Sequence, residues 1–303
     1  MTWLDSFRSY FQPRVLLIAA LGFLSGLPLG LLIDPLNYWL AEAGINKSTI
    51  GLLSLVLLAY SIKMVWAPLV DRLRIPYLKF LGQRKSWLFL SQLLSFITIL
   101  GLSFLDPLTN LELFVFVVLL LSIFSATQDI CIDALRIELV DEKEIGEASA
   151  LYIIGYRIGA ILLSQVLTFY IAESYGWNVA YGVMALLFLL FSLIILYVLP
   201  EPEREIRPYI SLFEKPILWF QDSFISPVSD IFYRYKEHLV IMLLLTFTYR
   251  LSDMFLGPMA MPFYQDMGFS KTEVAEITNF YGLWMTIIGG LFAGLTLHRF
   301  GLV

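Results

Sequence analysis

The chain is divided into apolar segments, each long enough to cross a lipid bilayer as a helix. We predict eight such spans, numbered in chain order: residues 15–40, 50–70, 87–105, 111–135, 147–172, 178–199, 238–264 and 274–297. About 20 apolar residues cross a bilayer core of about 30 Å, whereas the strands of a membrane barrel have about half that length. Since 59% of the residues are hydrophobic and only 15% are charged, an ordinary soluble domain is excluded. The sequence therefore predicts an all-α integral membrane protein.

The basic residues are unevenly divided between the two sides of the membrane. If the N-terminus is cytoplasmic, fifteen lysines and arginines lie on the inner side, and only Lys47 and Lys271 lie on the outer side. The inner loops of membrane proteins carry an excess of Lys and Arg. We therefore expect a multi-pass protein with a cytoplasmic N-terminus. The three other basic residues fall within spans: Lys63, Arg157 and Arg250.

Two short patterns occur twice, at corresponding positions of two presumed halves. "NYWLAEAGINKST" (37–49) follows span 1 and "MPFYQDMGFSKTE" (261–273) follows span 7, while "APLVDRL" (67–73) and "GLTLHRF" (294–300) end spans 2 and 8. This layout resembles the major facilitator fold, in which two parallel halves are related by an axis along the membrane normal. It predicts a six-helix N-terminal bundle (1–199), a cytoplasmic linker (200–237) and an incomplete C-terminal bundle of two spans (238–303). A complete carrier of this kind has about four further spans.

The loop after span 2 resembles the gating loop of the same superfamily. Asp71 and Arg72 match its Asp-Arg pair, and Gly82, Arg84 and Lys85 match its end, although the spacing is stretched. The alternative is an ordinary positively charged inner loop, which explains the basic residues but not the Asp-Arg start. In the second copy His298 replaces the aspartate.

Span 4 contains charged and amide side chains where water is scarce. Asp129 and Asp133 are four residues apart and share one helical face, next to Gln128. A charge at the bilayer centre costs about 2.5–3.5 kcal/mol, so each one needs a partner or a function. Two like charges this close disfavour simultaneous ionisation, so one carboxyl can carry a proton, as a proton-coupled carrier requires. The alternative for Asp133 is a structural ion pair with Arg136.

Other charges within the spans have similar alternatives. Lys63 lies in span 2, where Asp129 is a suitable partner. Arg157 lies between Gly155 and Gly159, whose spacing permits close helix approach. We consider these charges candidates for the substrate and proton pathway, together with three residues whose alternatives are local: Arg250 and Asp253, which can pair with each other, and Asp34, which can be an interfacial residue of span 1.

Span 1 carries Gly22, Gly26 and Gly30 at four-residue spacing, which predicts a smooth face for helix contact. Its prolines, Pro28 and Pro35, free backbone carbonyls and permit bending. Such a helix suits the moving wall of a transporter, and the alternative is a helix that only packs.

Catalytic and metal-binding patterns are not found in the sequence. The single cysteine, Cys131, lies inside a span, which excludes a disulfide framework within one chain. The two histidines form no metal cluster, and there is no phosphate-binding GxxxxGK[ST] loop to bind ATP. We therefore expect no enzyme, no metal, no cofactor and no nucleic-acid partner, and a proton gradient is the expected energy source.

Several motifs together resemble the AmpG family of bacterial muropeptide permeases: "AYSIKMVWAPLVDR" (59–72), "LGQRKSW" (81–87), "SATQDICIDAL" (125–135), "GYRIG" (155–159), "SPVSDIFYRY" (226–235) and "YRLSDMF" (249–255). This resemblance implies a carrier in the inner membrane of Gram-negative bacteria that imports anhydromuropeptides with the proton gradient. It implies functional roles for Gln128 and Asp129, and for the charges Lys63, Asp133 and Arg157. It also implies a monomer, surrounded by membrane lipids, if the carrier is complete.

Two alternatives to an importer of muropeptides remain open from the sequence. One is a carrier of the same fold for another substrate, such as a drug, a peptide or an acyl-CoA. The other is a truncated transporter without transport activity. Competition of uptake by anhydromuropeptide separates the first alternative, and the DNA beyond the last codon separates the second.

Overall fold

The computed structural model describes residues 9–202, 216–236, 238–249, 267 and 282–300. Its helices include six that are long and apolar enough to cross a membrane: Pro13–Glu42, Ser48–Val65, Gln83–Leu102, Leu111–Glu138, Ile145–Tyr175 and Trp177–Val198. These helices confirm the first six predicted spans and keep their numbers. Two shorter apolar helices, Leu239–Tyr249 and Trp284–Thr296, fall within predicted spans 7 and 8.

Several of the spans are composed of more than one helical segment. Spans 3, 4 and 6 are continuous α-helices with the bounds given above. Span 1 divides into α-helices Pro13–Leu32 and Asp34–Glu42, with the break at Ile33. The remaining segments are Lys47–Leu53, Ser54–Leu57, Leu58–Ile62, Lys63–Val65, Ala67–Arg72, Pro76–Leu81, Glu142–Glu144, Ile145–Arg157, Ile158–Leu167, Thr168–Tyr175, Pro216–Phe220, Gln221–Ile225, Ser226–Arg234 and Gly282–Phe300.

Spans 1 and 5 lie in very close contact through their glycines. A Cβ added at Gly22 or Gly26 would overlap the backbone carbonyl of Tyr152 or Tyr156, and a Cβ at Gly30 would overlap that of Ala160. Glycines of span 5 interlock from the other side, where Gly155 lies against the carbonyl of Ala19. Small residues let membrane helices approach until their backbones touch. The glycine pattern of span 1 is therefore a packing face.

Span 1 is the central helix of the described bundle. It contacts span 5 most extensively and also packs on spans 4 and 6, whereas span 3 packs between spans 4 and 6. The buried core follows span 1 along its length through Ile18, Leu21, Leu24, Leu27 and Leu31. Cys131 is fully buried in the same core, in agreement with a packing role.

Spans 2 and 5 depart from regular α-helix near their middles. Span 2 contains two short 3₁₀ segments, Ser54–Leu57 and Lys63–Val65. Span 5 contains a π-helical segment, Ile158–Leu167, directly after Arg157. Such departures often occur at hinges and functional sites of helices.

The chain forms two compact units. One comprises Met1–Arg204 with Gly289–Val303, and the other comprises Glu205–Ile288. The second unit includes the described helices of the predicted linker, which begin at Pro216 and end at Arg234. The second copy of the pattern that follows span 1, residues 261–273, lies outside the described residues except for Met267.

Candidate functional site

The charged residues of spans 2 and 4 form one cluster, which is the candidate site. Nζ of Lys63 lies 2.9 Å from Oδ2 of Asp133 and 3.3 Å from Oδ2 of Asp129. The two aspartates face the same lysine because they are one helical turn apart on span 4. Asp129 is 13% exposed, Lys63 26% and Asp133 43%, so the cluster opens to its surroundings on the Asp133 side. The predicted pairing of Lys63 with Asp129 is present, and Asp133 pairs with Lys63 rather than with Arg136.

Hydroxyl groups from spans 1, 2 and 5 surround Asp129. Ser25 of span 1 donates to Oδ1 of Asp129, and the phenol of Tyr152 donates to Oγ of Ser25 at 3.2 Å. One turn away along span 4, the phenol of Tyr60 donates to Oγ of Ser125 at 2.7 Å. The cluster therefore connects four spans through side chains that can exchange protons or hydrogen bonds.

Sequence reasoning did not identify Ser25, Tyr60 or Tyr152 as members of this site. Each is an uncharged side chain of a type that is common in membrane helices, so its cost of burial gives no warning of a function. Their contacts join residues between 65 and 127 positions apart in the chain. The "GYRIG" motif was close to Tyr152 but pointed to its arginine instead.

Gln128 lies in a contact between two spans. Its side chain is completely buried, and Nε2 donates a hydrogen bond to the carbonyl oxygen of Leu24 at 2.9 Å. The amide therefore lies in the contact between spans 4 and 1 and does not face open space.

Arg157 is not brought into the cluster. It is two residues from both Gly155 and Gly159, or about 200° around a helix from each, so it points away from span 1. Within the described part of the chain it makes no ion pair. Arg136, in the last turn of span 4, lies over the ring of Tyr152 at 4.8 Å, a cation–π contact.

The other predicted pathway residues are less informative. Asp34 is exposed in the first turn of the helix Asp34–Glu42, where a negative charge is favourable to the helix dipole. This position agrees with the interfacial alternative. Arg250 and Asp253 lie outside the described residues.

The predicted gating loop is held by a second charged cluster. The guanidinium of Arg84, at the start of span 3, forms an ion pair with Asp71 and a bidentate one with Glu138 at the end of span 4. The carboxylate of Glu201 accepts hydrogen bonds from the backbone N–H groups of Arg84 and Lys85, at 2.9 and 3.0 Å. These contacts join the C-terminal ends of spans 2, 4 and 6 to the start of span 3. The Asp-Arg pair of the sequence motif pointed to Asp71, but not to Glu138 or Glu201.

An open cavity of about 600 Å³ lies between the C-terminal ends of spans 1 and 5 and the start of span 6, away from the charged cluster. Its lining includes Tyr38, Glu42, Phe169, Glu173 and Trp177. Aromatic rings in contact with one another form its wall, and Nε1 of Trp177 donates to Glu42 at 2.6 Å. Aromatic side chains of this kind are enriched where a membrane meets water. In the described ranges, no group of three or more His, Cys, Asp or Glu residues is arranged to hold a metal ion.

The comparison with known families extends over nearly the whole chain. Residues 13–302 match the Major Facilitator Superfamily. The chain belongs to this superfamily. The predictions of a major facilitator fold and of a multi-pass membrane transporter rather than an enzyme are thereby confirmed.

Relatives within the superfamily agree with the resemblance in the motifs. The putative transporter AmpG 4 of Rickettsia conorii is 37% identical over 297 residues, which are 97% of this chain and 69% of that protein. The anhydromuropeptide permease of Escherichia coli K12 is 34% identical over 297 residues, which are 97% of this chain and 57% of the permease. An uncharacterized protein of Haemophilus influenzae is 34% identical, with 96% of this chain and 66% of that protein covered. The predicted resemblance to AmpG-type transporters is confirmed, and a permease relative indicates a small-molecule substrate.

Proposed function

We propose that this major facilitator protein imports anhydromuropeptides from the periplasm to the cytoplasm, together with protons. The membrane is the bacterial inner membrane, the N-terminus is cytoplasmic and the working unit is a monomer. The observation that carries the proposal is the cluster of Lys63, Asp129 and Asp133 in a chain that is 34% identical to an anhydromuropeptide permease over 97% of its length.

The charge balance of the cluster supports coupling to protons. One ammonium lies between two carboxylates, so the fully ionised cluster carries one uncompensated negative charge. Uptake of one proton makes the cluster neutral, which lowers the cost of moving it into a drier surrounding. A neutral cluster and a charged one therefore favour different degrees of hydration. Alternation between an open and a closed face of the carrier is a change of this kind.

Asp129 is the proposed proton carrier of the two. It is the less exposed carboxylate, and it is the one that accepts a hydrogen bond from span 1 through Ser25. A proton on Asp129 weakens its attraction to Lys63 and changes its contact with Ser25. Protonation thus acts directly on the contact between two helices.

The substrate class fits the same arrangement of charges. Anhydromuropeptides that carry peptide stems are acids, and their carboxylates need cationic partners during passage. Lys63 is a suitable partner once Asp129 or Asp133 is protonated, because the lysine then has charge to share. Arg157 points away from span 1 and pairs with no described carboxylate, so it is a second proposed partner.

The test is uptake of labelled anhydromuropeptide by membrane vesicles that contain the protein as its gene encodes it. An inward proton gradient should increase uptake, and Asp129→Asn should abolish that increase while the protein remains folded and in the membrane. Asp34→Asn is the matched control, because Asp34 is exposed in the first turn of a helix, and it should retain the increase. Gradient-driven uptake at the normal level in Asp129→Asn would contradict the role of Asp129.

Competition experiments distinguish the substrate from that of other carriers in the superfamily. Unlabelled anhydromuropeptide should reduce uptake of the labelled compound, whereas an unrelated peptide or an acyl-CoA should not. If one of those compounds competes and anhydromuropeptide does not, the substrate proposed here is wrong while the transporter family still holds.

A further inference from the structure

A proline removes a backbone hydrogen bond from span 1. In an α-helix the N–H of each residue donates to the carbonyl four residues earlier, and proline has no N–H. Pro28 lies inside the helix Pro13–Leu32 and therefore leaves the carbonyl of Leu24 without its usual donor. The carbonyl of Leu31 also lacks a helical donor, because this helix ends at Leu32 and the next one begins at Asp34. Both leucines are completely buried, so water does not replace the missing donors easily.

Each of these two carbonyls receives a hydrogen bond from a side chain on another span. Nε2 of Gln128 donates to the Leu24 carbonyl at 2.9 Å, and the phenol of Tyr181 donates to the Leu31 carbonyl at 3.0 Å. Gln128 and Tyr181 are themselves 0% and 1% exposed, on spans 4 and 6 respectively. Two buried polar side chains thus satisfy carbonyls of span 1 that lack a donor within their own helix.

The Gln128 contact lies directly beside the proposed proton site. On span 1 the carbonyl of Leu24 is followed by Ser25, and on span 4 the amide of Gln128 is followed by Asp129. Two parallel contacts result, one from Gln128 to Leu24 and one from Ser25 to Asp129. The turn of span 1 that contains the freed carbonyl is thus docked on the turn of span 4 that contains the carboxylate.

We propose that Gln128 is a positioning residue: by hydrogen bonding the carbonyl that Pro28 frees, it holds Ser25 against Asp129. Tyr181 supplies the same kind of bond to the Leu31 carbonyl, at the end of the helix Pro13–Leu32, and it holds that end of the helix to span 6. The hydrogen bonds of Gln128 and Tyr181 are present in the structure, and only their expected effect on transport rests on the proposed function.

Substitution of Pro28 tests the bond itself. Gln128→Leu removes the donor and leaves the Leu24 carbonyl unpaired, so the midpoint of thermal unfolding in detergent should fall by several degrees. Pro28→Ala restores the backbone N–H and also stabilises the helix by itself, so the loss caused by Gln128→Leu is compared with and without Pro28→Ala. That loss should be at least halved when Pro28→Ala is present. Equal losses in the two backgrounds, or an unchanged midpoint in Gln128→Leu, would overturn the inference.

The second site provides the matched control. Tyr181→Phe removes only the hydroxyl that donates to the Leu31 carbonyl, which Pro28 does not free. Its loss of stability should therefore be the same with and without Pro28→Ala. If Gln128→Leu fails to accumulate in membranes but its double variant with Pro28→Ala does accumulate, that result is itself the expected rescue. If neither accumulates although Pro28→Ala alone does, the inference is contradicted.

Uptake distinguishes positioning from stability alone. In the double variant of Gln128 and Pro28 the carbonyl is satisfied within span 1, but the bond between spans 1 and 4 is still missing. Gradient-driven uptake should therefore stay about fivefold or more below that of Pro28→Ala alone and its pH profile should be shifted, whereas Tyr181→Phe with Pro28→Ala should keep the profile of Pro28→Ala alone. Full recovery of uptake in the first double variant would show that Gln128 has no positioning role.

The pH profile reports on the whole surrounding of Asp129. The groups that face it include Lys63 and Tyr60 from span 2, Ser25 from span 1, Tyr152 and Tyr156 from span 5 and Asp133 from its own helix. None of them is changed in any of these variants. If the unsubstituted protein takes up no anhydromuropeptide, the proposed function fails, but the two stability cycles still test the hydrogen bonds.

Discussion

Nζ of Lys63 lies 2.9 Å from Oδ2 of Asp133, although the two residues are 70 positions apart and belong to different spans. The lysine also reaches Asp129, so one cation serves two carboxylates within the membrane part of the chain. This relationship explains how span 4 tolerates two acidic residues one turn apart. It also makes the lysine the residue on which the whole cluster depends.

Lys63→Met should therefore destabilise the protein and abolish uptake. Without the ammonium two neighbouring carboxylates repel each other, and the partial exposure of the cluster limits the loss in free energy of unfolding to about 1–3 kcal/mol. Thermal or urea unfolding in detergent measures this loss. The double variant Lys63→Met with Asp133→Asn should regain part of the stability, and a single variant as stable as the unsubstituted protein would refute the dependence.

Gly26→Ala should disrupt the contact between spans 1 and 5. The new Cβ would overlap the backbone carbonyl of Tyr156, which is part of a helix and is unable to move aside alone. Overpacking of this kind costs about 1–3 kcal/mol. Gly51→Ala is the matched control, because nothing lies within 4 Å of its Cβ position. Alanine there should leave stability equal or raise it by up to about 1 kcal/mol, and equal losses in the two variants would contradict the glycine contact.

Arg84→Met should weaken the contacts that hold the start of span 3 to the C-terminal ends of spans 2 and 4. Arg84 is only 4% exposed and is paired with Asp71 and Glu138, so its loss should lower the free energy of unfolding by about 2–3 kcal/mol. Arg84→Lys should lose less, because lysine keeps the charge but lacks the bidentate geometry. The control is Arg234→Met: Arg234 pairs with Asp230 on an exposed helix, where such a pair is worth under about 0.5 kcal/mol. Comparable effects at the two arginines would disprove the structural role of Arg84.

Because of Tyr10, the folded protein should lose stability in alkaline solution. This residue precedes span 1, and burial together with the nearby charge of Glu147 raises the pKa of its phenol to about 12. The pKa of an unfolded tyrosine is about 10, so between these values the folded state holds a proton that the unfolded state has lost. Stability that depends on Tyr10 is therefore complete below about pH 10 and declines as the pH rises toward 12.

The corresponding measurement compares unfolding of the unsubstituted protein and Tyr10→Phe between pH 8 and about 11. The phenol also donates a hydrogen bond to the carbonyl of Leu291 at 2.7 Å, so the variant should be less stable at pH 8. The difference between the two proteins should shrink as the pH rises. A constant difference would mean that the phenol titrates at its ordinary pKa.

The sequence-based predictions succeeded where a pattern in one segment reports its own surroundings. Apolar length located the first six spans, and the glycines of spans 1 and 5 were correctly assigned to close helix contact, because a helix must satisfy its own backbone and cover its own surface with lipid or another helix. The pairing of Lys63 with Asp129 was also predictable, since a charge in the membrane needs a partner and few were available.

The predictions stayed open where a residue's role depends on the neighbour it meets. The resemblance implied a functional role for Gln128, and only the structure places its amide on the Leu24 carbonyl, which Pro28 of another span leaves without a donor. Arg157 had the same sequence signal as Lys63, yet it points away from span 1. No local pattern predicted that Ser25, Tyr152 and Asp129 would meet.

Length, hydropathy and charge distribution in the sequence alone determined that the chain is a helical membrane protein with its charges concentrated in a few places. Those properties follow from the transfer of each segment between water and lipid, which depends on that segment only. The tertiary structure decided which carboxylates pair with Lys63 and which backbone carbonyls accept hydrogen bonds from side chains. It also decided that Arg157 lies outside the charged cluster. Those outcomes depend on distances of a few ångströms between helices, and such distances are set when the helices pack against one another.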